Sequence, residues 1–349
     1  VTERHRSVVA IATPLEAELV ARVAATGVEV LFEPDLLPPT RYPGDHRGVA
    51  EFRRSDADQR RWTAVLSSAE ILFGLPGDSP DQLAAIVSSH GRLRWVQATA
   101  AGAGEQVRAA GLTPEELERV AVTSASGVHA GPLAEFCLFG ILAFSRGLPR
   151  LQADQRARHW DHYPTSELQG RNVVLLGVGA IGTEVARLAK AFGMRTIGVS
   201  RSGKRQDANL DEHHRSDRLL KLATHADALV ISAPLTEQTT GLVSAEVIAA
   251  LPRGAIVVNV GRGAVIDEDA LDAALATGHL AGAALDVFCT EPLPTSSALW
   301  QRPNVILSPH TAALSSRENE RIVELFIENL GRYRRGGPLR NRIEAEHSY

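Results

Sequence analysis

The amino-acid sequence predicts an α/β protein made of two doubly wound domains, each with a parallel sheet. Three observations carry that expectation. The chain has 349 residues, which at roughly 150 residues per domain suggests two domains with cores of their own. Short apolar runs alternate with helical periodicity in two separate stretches, the pattern of parallel strands joined by crossover helices. In the second stretch a Gly-x-Gly-x-x-Gly run stands between an apolar run and a helical one.

The first stretch reads as a strand over 7–12, a helix over 15–25 and a strand over 28–32. From 34 to 61 the pattern dissolves into Pro38-Pro39, Pro43-Gly44 and mixed charges, which predicts a long loop with at most a short helix. Alternation resumes with a strand over 71–74, a helix over 80–89, and strands over 93–97 and near 120–123. The segment 132–147 carries only Glu135 and Arg146 as charges, so a helix buried on most sides is expected, either packed in a core or set at a domain or subunit boundary. A polar stretch over 152–170 leads into the second series. Its strands are expected over 172–176, 196–199, 228–232, 256–260, 283–287 and 305–307, and a closing helix over 317–334.

Composition narrows the partners. Lys plus Arg is 37 and Asp plus Glu 41, a formal net charge of −4 with no block of like charge, so neither nucleic acid nor a polybasic membrane contact is implied. No apolar run approaches the roughly 18 residues of a membrane span. The start Val1-Thr2-Glu3-Arg4-His5 lacks the apolar core of a signal peptide. Met194 is the sole methionine, so the numbering is expected to begin after processing or within a longer chain. Two cysteines, Cys137 and Cys289, give no disulfide framework and no metal-site spacing. A cytoplasmic protein without a metal is expected.

Gly177-Val178-Gly179-Ala180-Ile181-Gly182 follows the expected strand 172–176 and opens a helix. The first glycine allows a tight turn, the second a close approach of backbone to a pyrophosphate, and the third close packing of helix on strand. Amides at the helix start attract the phosphates. A dinucleotide is therefore expected against Gly177, Gly179, Ala180, Ile181 and Gly182. Where NAD-binding chains usually present a carboxylate to the ribose, this one has Ser200-Arg201-Ser202-Gly203-Lys204-Arg205. Arg201, flanked by Ser200 and Ser202 with Lys204 or Arg205 nearby, suits a 2′-phosphate, which predicts NADP in preference to NAD.

Ligands of parallel sheets bind beyond the carboxyl ends of the strands. Three such ends carry suitable chemistry: Arg262 in Asn259-Val260-Gly261-Arg262-Gly263, Glu291 in Glu291-Pro292-Leu293-Pro294, and His310 in Ser308-Pro309-His310-Thr311. Reduction of a 2-keto acid needs a hydride from a nicotinamide, a proton donor and a cation for the carboxylate. His310 fits the general acid, because a carboxylate such as Glu291 beside it favours the charged imidazole. Arg262 fits the carboxylate, to which a guanidinium offers a planar fork.

With these residues in hand, the chain resembles the D-isomer-specific 2-hydroxyacid dehydrogenase family over about 95–341. The matching segments are Ser166-Glu167-Leu168-Gln169-Gly170, Ala226-Asp227, Pro234-Leu235-Thr236, Asp286-Val287-Phe288, and the Arg262, Glu291 and His310 motifs. The resemblance implies that Arg262, Glu291 and His310 form the catalytic set. It implies that Pro234 lines the cofactor cleft, that Val260 belongs with the cofactor-binding residues, and that Asp286 lies near the nicotinamide amide. It also implies a Rossmann-type NAD(P)-binding domain, 126–313, inserted into a flavodoxin-like substrate domain, 1–125 plus 314–349. The backbone of Ala101 and Gly102 would meet the substrate carboxylate, although the family usually has Asp where Gly104 stands. A homodimer is implied as well.

A glyoxylate or hydroxypyruvate reductase is the expected member, with a phosphoglycerate dehydrogenase ranked below it. Formate dehydrogenases carry Gln where Glu291 stands and fit poorly. A dinucleotide-sensing corepressor with little turnover retains the same three residues and is the rival of a different class.

Overall fold

The computed structural model describes residues 6–89, 91–203 and 207–344. Val1–His5, Lys204 and Arg205, which the sequence singled out, lie outside the described residues. The chain divides into two compact units, Val1–His129 with Leu314–Tyr349, and Ala130–Ala313.

In the first unit β1 (Val8–Ile11), α1 (Ala17–Ala24), β2 (Glu29–Leu31), α2 (Asp56–Ser68), β3 (Ile71–Phe73), α3 (Pro80–Ser89), β4 (Trp95–Gln97), α4 (Ala103–Ala109), α5 (Pro114–Arg119) and β5 (Ala121–Thr123) alternate. All strand pairings are parallel, in the order β2-β1-β3-β4-β5, the doubly wound flavodoxin-like order. β3 and β4 are buried throughout, as strands covered on both faces must be.

The second unit runs α6 (Ala130–Ser145), α7 (Leu148–Ala157), β6 (Asn172–Leu176), α8 (Ala180–Ala191), β7 (Arg195–Ser200), β8 (Glu212–Arg215), α9 (Leu219–Ala223), β9 (Ala228–Ile231), α10 (Ala245–Ala250), β10 (Ile256–Asn259), α11 (Glu268–Ala276), β11 (Gly282–Leu285) and β12 (Val305–Leu307). Its parallel order β12-β11-β10-β9-β6-β7-β8 contains the Rossmann arrangement, with the direction of winding reversing between β6 and β9. One face packs Val173, Leu175, Val230 and Val258 against α6 and α8. The other packs Val174, Leu176, Val199 and Val257 against α9, α10 and α11.

The closing helix α12 (Glu318–Arg334) belongs to the first unit. Phe326 stacks on Trp95 with ring centroids 4.9 Å apart and meets Phe73 edge-on at 5.2 Å, an aromatic cluster that adds directional contact to apolar burial. Buried Asn329 accepts from the Arg340 amide at 2.7 Å and ties the tail back to the helix.

Three elements differ from the sequence expectation. α2 occupies 56–68, beginning inside the stretch read as loop, with Ser55 accepting from the Asp58 amide as its N-cap. α7 lies at the edge of the polar stretch and buries no residue. β8, Glu-His-His-Arg, has no apolar alternation and exists through its ladder with β7. α6 is buried along most of one side, and Phe139 stays half exposed.

Candidate active site

The glycine loop sits where the winding reverses. Gly177 has φ +100, open to glycine and strained for other residues, and a Cβ there would lie 2.6 Å from the Ala233 amide nitrogen after β9. Ser232 Oγ donates to the Gly177 carbonyl at 2.9 Å, so the ends of β6 and β9 are tied. A Cβ on Gly182 would come 2.0 Å from the Gly177 oxygen, which is why α8 can begin so close to its strand. Gly179, the N-cap of α8, faces open space: nothing lies within 4 Å of its Cβ position. Exposed Gly179 and Ala180 and half-buried Ile181 thus present the first-turn amides of a 12-residue helix, and a dinucleotide pyrophosphate fits that arrangement. Ser200 closes β7, and Arg201 and Ser202 follow it on the surface. Pro234 is exposed beyond β9, its carbonyl accepting from Thr239 Oγ1, and Val260 is buried after β10.

Arg262, Glu291, His310 and Asp286 come together in the second unit although 48 residues separate the first from the last. The glycines beside Arg262 make this possible. A Cβ on Gly261 would sit 2.7 Å from the Ala233 oxygen, and one on Gly263 only 1.9 Å from the Phe288 carbonyl carbon. The Arg262 loop therefore wedges between the loops that follow β9 and β11.

Glu291 spans the next gap. Its Oε1 accepts from the Phe288 amide at 3.0 Å and its Oε2 from His310 Nδ1 at 2.8 Å. Burial pushes this carboxyl up, but the hydrogen bonds from His310 and the Phe288 amide, with the charges of His310 and Arg262, together hold it below the usual glutamate range. An ionised carboxylate only accepts, so Nδ1 carries the proton of this contact and Nε2 is turned away from Glu291.

His310 has φ +57, left-handed backbone uncommon for a residue with a Cβ. Asp286, buried at the end of β11, holds it there. Asp286 Oδ1 accepts from Ser308 Oγ at 2.6 Å and from the Thr311 and Ala312 amides at 2.9 Å, and the Asp286 carbonyl accepts from the His310 amide at 3.0 Å. The carboxylate expected beside the nicotinamide thus also anchors the histidine loop. Ser308, its partner, lay within the His310 motif, but its role depends on strand order rather than on spacing. Ala101 and Gly102 lie in the first unit, exposed in the turn between β4 and α4.

Residues 138–312 match the family model described as D-isomer specific 2-hydroxyacid dehydrogenase, NAD binding domain. The chain belongs to the D-isomer-specific 2-hydroxyacid dehydrogenase family. It is an NAD(P)-dependent oxidoreductase acting on the CH–OH group of a 2-hydroxy acid or, in reverse, on a 2-keto acid. This dehydrogenase is 37% identical to a glyoxylate reductase of Aeropyrum pernix over 64% of its own length and 70% of the relative's. It is similar to a D-isomer specific 2-hydroxyacid dehydrogenase from Xanthobacter autotrophicus in complex with NADPH, with TM-score 0.75 and 26% identity over 99% of this chain and 100% of that one. An NADPH-dependent glyoxylate/hydroxypyruvate reductase of Sinorhizobium meliloti, in complex with NADP and sulfate, gives the same TM-score, identity and coverage. Among the described residues no single helix is long and apolar enough to cross a membrane.

Proposed function

We propose that this dehydrogenase reduces a small 2-keto acid of the glyoxylate or hydroxypyruvate class, preferring NADPH, with His310, Glu291 and Arg262 as its catalytic residues. The observation that carries the reading is the 2.8 Å hydrogen bond from His310 Nδ1 to Glu291. It leaves Nε2 to donate a proton to the keto oxygen as that oxygen gains charge, while Glu291 stabilises the cationic ring. Arg262 binds the substrate carboxylate and sets its orientation. A bound reduced nicotinamide supplies the hydride.

In this reading 126–313 carries the cofactor, through the glycine loop, Pro234, Val260 and Asp286, and 1–125 with 314–349 carries the substrate. The choice of NADPH rests on Arg201 between Ser200 and Ser202, where a carboxylate would otherwise repel the 2′-phosphate, and on the NADPH-linked relatives. The small substrate follows the glyoxylate reductases among the relatives. A homodimer in a reducing cytoplasm completes the reading, in keeping with two free cysteines.

A panel of 2-keto acids assayed with NADPH and NADH in parallel tests it. Turnover should be fastest with NADPH and a short keto acid, and His310→Ala should lose roughly 10²- to 10⁴-fold in kcat while still binding NADPH. Tight NADPH binding with negligible turnover of every acid would instead mark a dinucleotide sensor and overturn the proposal.

A further inference from the structure

The surface beside Arg201 holds a second guanidinium that sequence patterning did not reveal. β8 pairs in parallel with β7, and the register sets Ser200 opposite Arg215 and Gly198 opposite His213. Residues paired in this way project to one face of a sheet. Gly198 identifies the face: a Cβ there would lie 2.9 Å from Cγ2 of Val178, the residue between the first two glycines of the phosphate loop. Ser200, His213 and Arg215 therefore look toward the side on which that loop lies.

Three contacts join them into one surface. His213 Nε2 lies 2.8 Å from Ser200 Oγ, and the Gly203 amide donates to the same oxygen at 3.2 Å. Gly203, at φ +63, sits so close to Arg215 that a Cβ would be 2.8 Å from its Cγ. The turn that carries Arg201 and Ser202 is thus laid across the stem of Arg215. The carboxylates nearby are otherwise engaged: Asp207 accepts from Thr183 Oγ1 and the Asn209 amide, and Glu212 accepts from Arg195 and His214. The pair Arg215–Asp217, 3.6 Å apart with 67% and 65% of the side chains exposed, is of the weak surface kind.

We infer that Arg215 is a specificity-determining residue for the cofactor, a second cation for the 2′-phosphate opposite Arg201, with Ser200 held between them by His213. The inference rests on the NADPH reading above and extends it to a neighbouring strand. Two basic forks around one phosphate give directional, charge-assisted contacts that a single arginine does not.

Calorimetric titration of the full chain freed of cofactor with adenosine 2′,5′-bisphosphate and with 5′-AMP separates the two claims without any assay of turnover. The wild type should bind the bisphosphate more tightly than 5′-AMP. Arg215→Ala should weaken the bisphosphate by about tenfold, the scale of one charge-assisted hydrogen bond, and leave 5′-AMP unchanged, while Arg215→Lys recovers part of the loss. Equal wild-type affinity for the two probes would overturn the NADPH reading itself. If the wild type discriminates and Arg201→Ala abolishes the preference, but Arg215→Ala keeps wild-type affinity, the NADPH reading stands and Arg215 is excluded. An equal loss for both probes in Arg215→Ala also excludes it, because that is a structural effect.

Discussion

At the scale of single residues, the proposed chemistry depends on an imidazole held in an uncommon backbone conformation. His310 at φ +57 persists because Asp286 receives its amide and three further donors from the same loop, so the strain is offset by a buried network. Glu291 does the electrostatic part. Its folded value lies below the usual one, so its contribution to the folded loop is complete above the unfolded carboxylate range and is lost progressively as pH falls from there through the lower folded value. Its charge therefore persists throughout the neutral range. Glu291→Gln keeps an acceptor oxygen for His310 but removes that charge. Steady-state kinetics should show kcat for keto-acid reduction lower by roughly a hundredfold, the low end of general acid-base effects. An unchanged kcat would reduce Glu291 to a scaffold residue.

At the scale of elements, the stretch before α2 shows how a segment without periodicity becomes ordered. Asp45 is buried and accepts from Arg41 Nε at 2.8 Å, Arg41 Nη2 at 2.9 Å, and the Arg41 and Gly48 amides at 3.0 and 3.1 Å. His46 Nδ1 then meets Thr13 Oγ1 at 3.0 Å at the end of β1. The Arg41 hydrogen bonds hold the Asp45 carboxyl far below the ordinary aspartate range, against the opposing effect of burial. Its stabilisation is complete above the unfolded aspartate value and disappears as pH falls toward the folded one. Asp45→Asn leaves the Arg41 guanidinium and the buried Gly48 amide without their charged acceptor, a loss of about 1 to 3 kcal/mol at neutral pH. Urea unfolding at neutral and acidic pH checks this: the gap between variant and wild type should narrow in acid, and a gap independent of pH would assign the loss to packing.

At the scale of the whole molecule, two parallel sheets of different winding order are built from one chain, and the last helix belongs with the first strands. Each unit buries its own core. On the second unit, Phe139 on α6 is 49% exposed, Leu151 on α7 49% and Trp160 in the segment that follows 90%. In the proposed function a second copy of the chain covers these side chains. Sedimentation at micromolar concentration should give a dimer. Phe139→Ser with Trp160→Ser should weaken it by about tenfold or more, as removal of aromatic anchors does. A monomeric wild type would remove the dimer from the reading.

The sequence alone determined the parts whose signal is local. A glycine triplet between an apolar run and a helix can be read in six residues, because each glycine answers a steric demand made within that turn. Arg262 and Glu291 stood out as candidates because each follows an apolar run buried as a strand, and buried parallel strands leave continuous apolar stretches; His310 follows the half-buried apolar run of β12. Periodicity reports burial, so elements that bury little were invisible: α7, with no buried residue, and β8, whose Glu-His-His-Arg pairs only at a sheet edge. Arg215 could not be placed beside Ser200 without the register, nor Asp286 beneath His310 without the adjacency of β11 and β12. Strand order is settled by packing over the whole unit, and only the tertiary structure decides which distant side chains share one face.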